Sequence, residues 1–229
     1  MNQREKYLTE RDRKILAFVG RYRAATIRMI WNRHFPNTSP DNTARVVRRL
    51  VRRGLLGKVV CGEELSYIVP TRLGLSISGF EPRTPRPFTE QSLPVVLAIA
   101  SYCVANGLQR FTNSEFCDLY PELSQPGMHS SNYVLIDSST GLKLQLLVVD
   151  RGGTPRRIKG RVRRLIAQRK RLPAFRSLMD AGRLQINVLV GTKEQQARIN
   201  DYIQRHSFGS VSVTSSLVSE LGNILLIGG

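Results

Sequence analysis

The order of helix and strand signals predicts an α+β chain of two modules. Three amphipathic helix signatures and a β-hairpin pattern occupy residues 1–78. A stretch with three prolines in ten residues, 79–88, comes next and reads as a semi-rigid connection over 79–90. From 91 to 229 strand-like and helix-like segments alternate, the pattern of a small α/β domain with a mixed sheet.

Each N-terminal element has a local cause. Thr9 precedes Glu10-Arg11-Asp12, a capping box with Asp in place of the commoner Glu. Ile15, Phe18, Val19 and Tyr22 then recur at i, i+3, i+4 and i+7 and define one helical face. Ile27, Ile30 and Trp31 supply a shorter second helix, which Pro36-Asn37-Thr38 breaks. Ser39-Pro40 is an N-cap with proline at the first helical position, and the third helix runs to Arg53, before Gly54. Its inner side is Val47, Leu50 and Val51; its other side carries Asn42, Thr43, Arg45, Arg48, Arg49 and Arg52. Residues 55–60 and 65–69 form two strands joined by the turn Cys61-Gly62-Glu63-Glu64, and Thr71 caps a short closing helix. Three helices and then a hairpin is the order of a winged helix-turn-helix. Polar residues in the first turn of helix three, with arginines behind them, suit a helix lying in a DNA major groove. Lys58 on the first hairpin strand joins them, whereas the acidic turn argues against the hairpin tip itself gripping phosphate.

The second half reads as a helix over 92–106, a capped segment from Thr112 to Leu119, strands over 132–136 and 142–150, and a helix over 156–171. A buried strand over 184–190, a helix over 194–205, and short strands over 210–213 and 224–227 complete it. On helix 156–171, Val162, Leu165 and Ile166 point inward, and Arg157, Arg161, Arg164 and Arg171 share the opposite face.

Charge singles out the same regions. The 229 residues hold 35 Lys+Arg and 17 Asp+Glu, a net +18. Residues 1–80 contain 16 basic and 6 acidic side chains, and residues 151–176 contain 11 basic and none acidic. A merely solvated face interleaves acids, so the acid-free segment points to a polyanion. Its arginine row would lie along a DNA or RNA backbone, fixing position without reading sequence. No apolar run of membrane length occurs, and no apolar stretch lies behind the first six residues as in a signal peptide. Cys61, Cys103 and Cys117 lie far apart without metal-ligand spacing. A cytoplasmic protein associated with nucleoid or plasmid DNA, free of structural zinc and disulfides, is the expectation. Gly152-Gly153-Thr154-Pro155 lacks the pattern of a nucleotide-binding loop.

Three segments carry a resemblance: Leu8 to Leu16, Ala44 to Leu56 and Tyr67 to Gly74. They resemble the winged helix of the replication-relaxation proteins of bacterial plasmids and mobile elements, related to MobC-type mobilisation proteins. The second half is similar to that family's C-terminal domain, which resembles the restriction-endonuclease-like core. In the family the first core strand opens with Pro-Asp and the next ends Glu-x-Asp. Here Ser131-Asn132 and Val148-Val149-Asp150 stand at those positions, so Asn132 and Val148 replace expected acids and Asp150 remains.

Asn coordinates Mg²⁺ or Mn²⁺ weakly and Val not at all, and one carboxylate rarely holds a catalytic metal alone. The expectation is therefore a core without nuclease activity or cofactor. The alternative, a nicking relaxase or endonuclease acting at a transfer origin, would need Asp150, Asp137 and His129. Asp137 opens a hairpin turn, where Asp is common for local reasons. His34, His129 and His206 are scattered, with no cluster beside Tyr102, Tyr120 or Tyr133 to support a covalent route. The implied role is a sequence-specific double-stranded DNA-binding protein, a transcriptional regulator or an accessory factor in replication or mobilisation. The implied partners are duplex DNA, a second copy of the chain, and relaxase, replication or conjugation proteins. A structural adaptor or RNA-binding protein is the third alternative.

Overall fold

The computed structural model describes residues 8–61, 65–82, 87–125, 132–139, 141–152 and 154–227. The chain is α+β and divides into two compact units, residues 1–105 making up most of the first and residues 106–226 the second. Among the described residues no helix is long and apolar enough to cross a membrane.

In the first unit α1 spans Glu10–Tyr22, α2 Ile27–His34 and α3 Pro40–Arg52. The caps foreseen at Thr9 and Ser39 are present: Thr9 and Asp12 bond reciprocally, and Ser39 Oγ accepts from Asn42 N–H. Strand β1 (Leu56–Cys61) pairs antiparallel with β2 (Leu65–Pro70), in register from Leu56↔Pro70 to Cys61↔Leu65. The hairpin connection with Glu63 and Glu64 lies outside the described residues. Ala25, between α1 and α2, bridges to Ile68 on the far side of β2 and so ties the hairpin to the helices. The core between them includes Ile15, Val19, Ile30, Leu50, Leu55 and Ile68, all at most 1% exposed.

Short helix α4 (Arg72–Ile77) closes this core at Gly74, where an added Cβ would stand 2.0 Å from Leu55 O. Thr71 Oγ1 donates to that same carbonyl at 3.0 Å and caps α4 by accepting from Gly74 N–H. Substitution of Gly74 would therefore push helix and strand apart.

The unit boundary lies later than composition indicates. Helix α5 (Leu93–Ala105), assigned from sequence to the domain beginning at 91, packs on α1 and α2 and belongs to the first unit. The chain approaching it is also held: Phe88 stands edge-on to Tyr67, and the Arg23 guanidinium lies 5.3 Å over the Phe88 ring. Phe88 is thus held against the first unit, and residues 83–86 of the connection expected over 79–90 lie outside the described residues.

The second unit is a four-stranded sheet in the order β3 (Tyr133–Ile136), β4 (Lys143–Val149), β5 (Leu184–Val190), β6 (Ser212–Leu217). Strand β3 is antiparallel to β4, and β4, β5 and β6 are parallel. Helices α6 (Asn113–Leu119), α7 (Pro155–Arg169), α8 (Pro173–Asp180), α9 (Lys193–Gln204) and α10 (Ser219–Ile227) complete it. Phe116, Tyr133, Val148, Val162, Phe175 and Val188 lie in its apolar core.

Three expectations are corrected. Residues 224–227, expected as a strand, lie in α10; a short apolar run does not distinguish a strand from a buried helix. The strand expected over 210–213 is Ser212–Leu217. The helix expected over 156–171 ends at Arg169, and Pro173 begins α8.

Asp12 joins the first and third helices. Its side chain is wholly buried, Oδ2 accepting from Thr9 N–H and Oδ1 from the Arg49 guanidinium. Removing one partner leaves a buried charge unpaired. Arg49→Ala is expected to lower unfolding free energy by about 2–3 kcal/mol, the buried-pair cost reduced for the partial exposure of Arg49. Arg48→Ala should change it by less than about 0.5 kcal/mol. Urea denaturation measures both, and equal effects would contradict this assignment.

His34 packs edge-on to Phe18 at 5.4 Å, and its Nε2 is buried without a hydrogen-bond partner among the described residues. Burial, aided by Arg33 and Lys14, lowers its pKa from 6.5 to about 4. The unfolded chain therefore binds the proton first on acidification. The stabilisation is complete above about pH 6.5 and is lost as pH falls toward 4, on the order of 1–2 kcal/mol after allowance for partial exposure. His34→Phe should flatten that part of the stability profile between pH 7 and 4. An unchanged profile would show that other groups carry the dependence.

Candidate nucleic-acid interface

Helix α3 separates its side chains sharply. Thr43, Val47 and Leu50 are buried, while Asp41, Asn42, Arg45, Arg48 and Arg52 are exposed. At 3.6 residues per turn, positions 41, 45, 48 and 52 form one longitudinal stripe, with Asn42 beside its first turn. The N-cap and Pro40 start the helix just before this stripe, so its first turn is well ordered. Arg48 Nε donates to Ala44 O at 3.3 Å, which holds the exposed side chain along the helix through Nε. A guanidinium so held loses less rotamer freedom on binding.

Two residues assigned to this surface from sequence belong elsewhere. Thr43 is wholly buried, because a residue four before Val47 lies on the helix's inner side. Arg49 is half-buried and engaged by Asp12, so it sets the attachment of α3 instead of offering a free cation. The acidic partner 37 residues away gives no local sequence signal. Lys58 is exposed on β1 as expected, and Val60, two residues on, is 64% exposed. Alternation along a strand puts the two on one side of the hairpin.

The second basic surface lies on α7 and the turn after it. Arg157, Arg161, Arg164 and Arg171 are all exposed, but they are not equivalent. Arg161 reaches back, Nη1 donating to Val149 O at 2.9 Å, and burial lowers its pKa. Arg171 stands beyond the end of the helix. Arg169, on the same segment, is buried: it donates to the Tyr133 hydroxyl and to Leu165 O, with the Tyr133 and Phe175 rings against its guanidinium.

Asp137 and Asp150, the two residues of the nicking alternative that are described, do not converge. Asp150 stands just past the end of β4, is 4% exposed, and accepts from Gly152 N–H at 3.2 Å. Burial raises its carboxyl pKa, opposed by that hydrogen bond and by Arg157 and Arg161. Asp137 is exposed after β3, where the pairing Ile136↔Lys143 sets it beside the beginning of β4. The length of β4 separates the two carboxylates by roughly 20 Å, so they cannot share a metal ion. Val148 points into the apolar core, Asn132 precedes β3, and His129 and Ser131 lie outside the described residues. Among the described residues no three His, Cys, Asp or Glu side chains gather in a metal-holding group.

Comparison with protein-family models, with curated proteins and with solved structures finds no match to this chain.

Proposed function

We propose that this chain is a sequence-specific double-stranded DNA-binding protein, and that its first unit is a winged helix-turn-helix that reads bases through α3. The observation that carries this reading is the α3 surface itself. One stripe presents Arg45, Arg48 and Arg52 to solvent with Asn42 at the first turn, and the opposite side is fixed in an apolar core. An α-helix fits the major groove, where arginine recognises guanine through O6 and N7 and asparagine recognises adenine through N6 and N7. Lys58 and Val60 on the hairpin supply a cation and an apolar contact for the flanking backbone or minor groove.

Together with the resemblance over 8–16, 44–56 and 67–74, this supports a regulator, or an accessory factor in replication or mobilisation, on a bacterial plasmid or related element. The second unit is read as a degenerate endonuclease-like core. The replacement of expected acids by Asn132 and Val148, and the separation of Asp137 from Asp150 along β4, favour holding DNA over cutting it.

Selection of a binding site from a random duplex library, with fluorescence anisotropy on the selected duplex, tests the reading. Arg45→Ala with Arg48→Ala should weaken binding to that duplex more than tenfold, since each base contact contributes roughly 1–3 kcal/mol. Asn42→Ala should relax the preference at one base pair. Selection of no preferred sequence, or an unchanged affinity in the double variant, would overturn α3 as the reader.

A further inference from the structure

Helix α7 has an architecture that its basic composition alone does not reveal. Successive residues advance by about 100° around a helix. Arg156 and Arg163 therefore form one row, Arg157 and Arg164 a second, and Gly160 and Ala167 lie between them. All six are exposed. The surface is a shallow trough with two guanidinium groups on each bank. Along each bank the groups are seven residues apart, about 10.5 Å.

Gly160 is unexplained by the fold. A Cβ there would meet nothing within 4 Å, so packing does not require glycine, and its φ is not in the left-handed region. Mid-helix glycine is unfavourable, and a smooth floor helps only something that approaches from outside. The clustered charges have little compensation along the chain, Asp150 at the end of β4 being the carboxylate that acts on Arg157. On the exposed faces of α1 and α9, Lys14 pairs with Glu10 and Arg205 with Asp201, whereas residues 151–176 contain no carboxylate at all.

We infer that the α7 trough is a second, sequence-blind site that holds one phosphate backbone of duplex DNA between the rows Arg156/Arg163 and Arg157/Arg164. Arginine on both banks suits phosphate, which it contacts through a planar fork. The trough presents no large apolar side chain, which disfavours a protein partner, whose interface would need an apolar centre. The only aromatic residue of 151–176 is Phe175, and it is wholly buried, so this segment offers no platform on which unpaired bases could stack. Arg161 and Arg169, held by Val149 O and by Tyr133 with Leu165 O, position the helix and are not part of the contact. The choice of DNA over RNA rests on the reading of the first unit; the site itself does not.

The test measures full-length protein by fluorescence anisotropy on a random-sequence duplex of about 30 base pairs from about 50 to 200 mM NaCl. Replacing Arg156, Arg157, Arg163 and Arg164 with Ala should weaken binding at least tenfold. It should also reduce the slope of log K against log salt by up to about 3.6, given about 0.9 for each of four phosphate contacts. The selected sequence and the random duplex should lose affinity equally, so the preference ratio survives. The same four positions changed to Lys should regain most of the slope. The pair Arg157→Ala, Arg164→Ala, with circular dichroism as the folding control, should give about half the effect. An unchanged slope in the alanine variants would overturn the inference. So would equal or tighter wild-type binding to single-stranded DNA of the same length, whereas equal binding to duplex RNA would overturn only the choice of DNA, which rests on the first unit. Loss of the sequence preference in the α7 variants would also overturn it. The Arg45→Ala, Arg48→Ala variant separates the two readings: if it keeps the full sequence preference, the α3 reading fails while the α7 slope still decides this one.

Discussion

The first unit depends on one buried carboxylate. Asp12 closes the capping box at the start of α1 and, through its other oxygen, holds Arg49 near the end of α3. A wholly buried anion with only one partner would be costly, so the two bonds must form together. This couples the start of one helix to the attachment of another. With Arg49 fixed inward and Val47 and Leu50 in the core, helical geometry leaves Arg45, Arg48 and Arg52 no direction but outward. The character of the exposed surface is thus a consequence of an interaction inside the fold.

The excess of positive charge therefore divides by role. Arg49 answers a buried acid, Arg161 a strand-end carbonyl, and Arg169 a phenol and a carbonyl between two rings. These three are structural although they lie in the most basic stretches of the sequence. Among the exposed arginines, Arg45, Arg48 and Arg52 form a stripe on α3, and Arg156, Arg157, Arg163 and Arg164 form two short rows on α7. Arginine suits both duties because its fork satisfies several acceptors and remains charged where a lysine would more readily give up its proton on burial.

Much of this was legible in the sequence because its causes are local. Thr9 and Asp12, Ser39 and Pro40, and the spacing of Val47 and Leu50 each act within one or two turns, and α1 and α3 begin where those residues place them. Strand β5 likewise coincides with its apolar run. The features that escaped depend on distant partners. Arg49 looks like its neighbours until Asp12, in another helix, is brought to it. Thr43 reads as a polar contact residue until the helix phase is fixed by its packing. Helix α5 reads as part of the second domain because it lies beyond the prolines in the chain, and its contacts with α1 and α2 span most of the first unit. The run 224–227 was ambiguous for a different reason: it is too short for periodicity to choose between strand and helix.

The two exposed basic surfaces differ in the kind of binding they can contribute. In the proposed reading, base contacts from α3 would discriminate between sequences but act only in register. Backbone contacts from α7 would act at every register and weaken as salt rises. A protein that must find and keep one site among many gains search affinity from the blind surface and residence from the reading one. A carboxylate beside either surface opposes binding there, and Asp41 is the one that stands on the α3 stripe. The second unit keeps Asp150 buried and bears the acid-free helix α7, electrostatics that favour the proposed holding of DNA over cutting it.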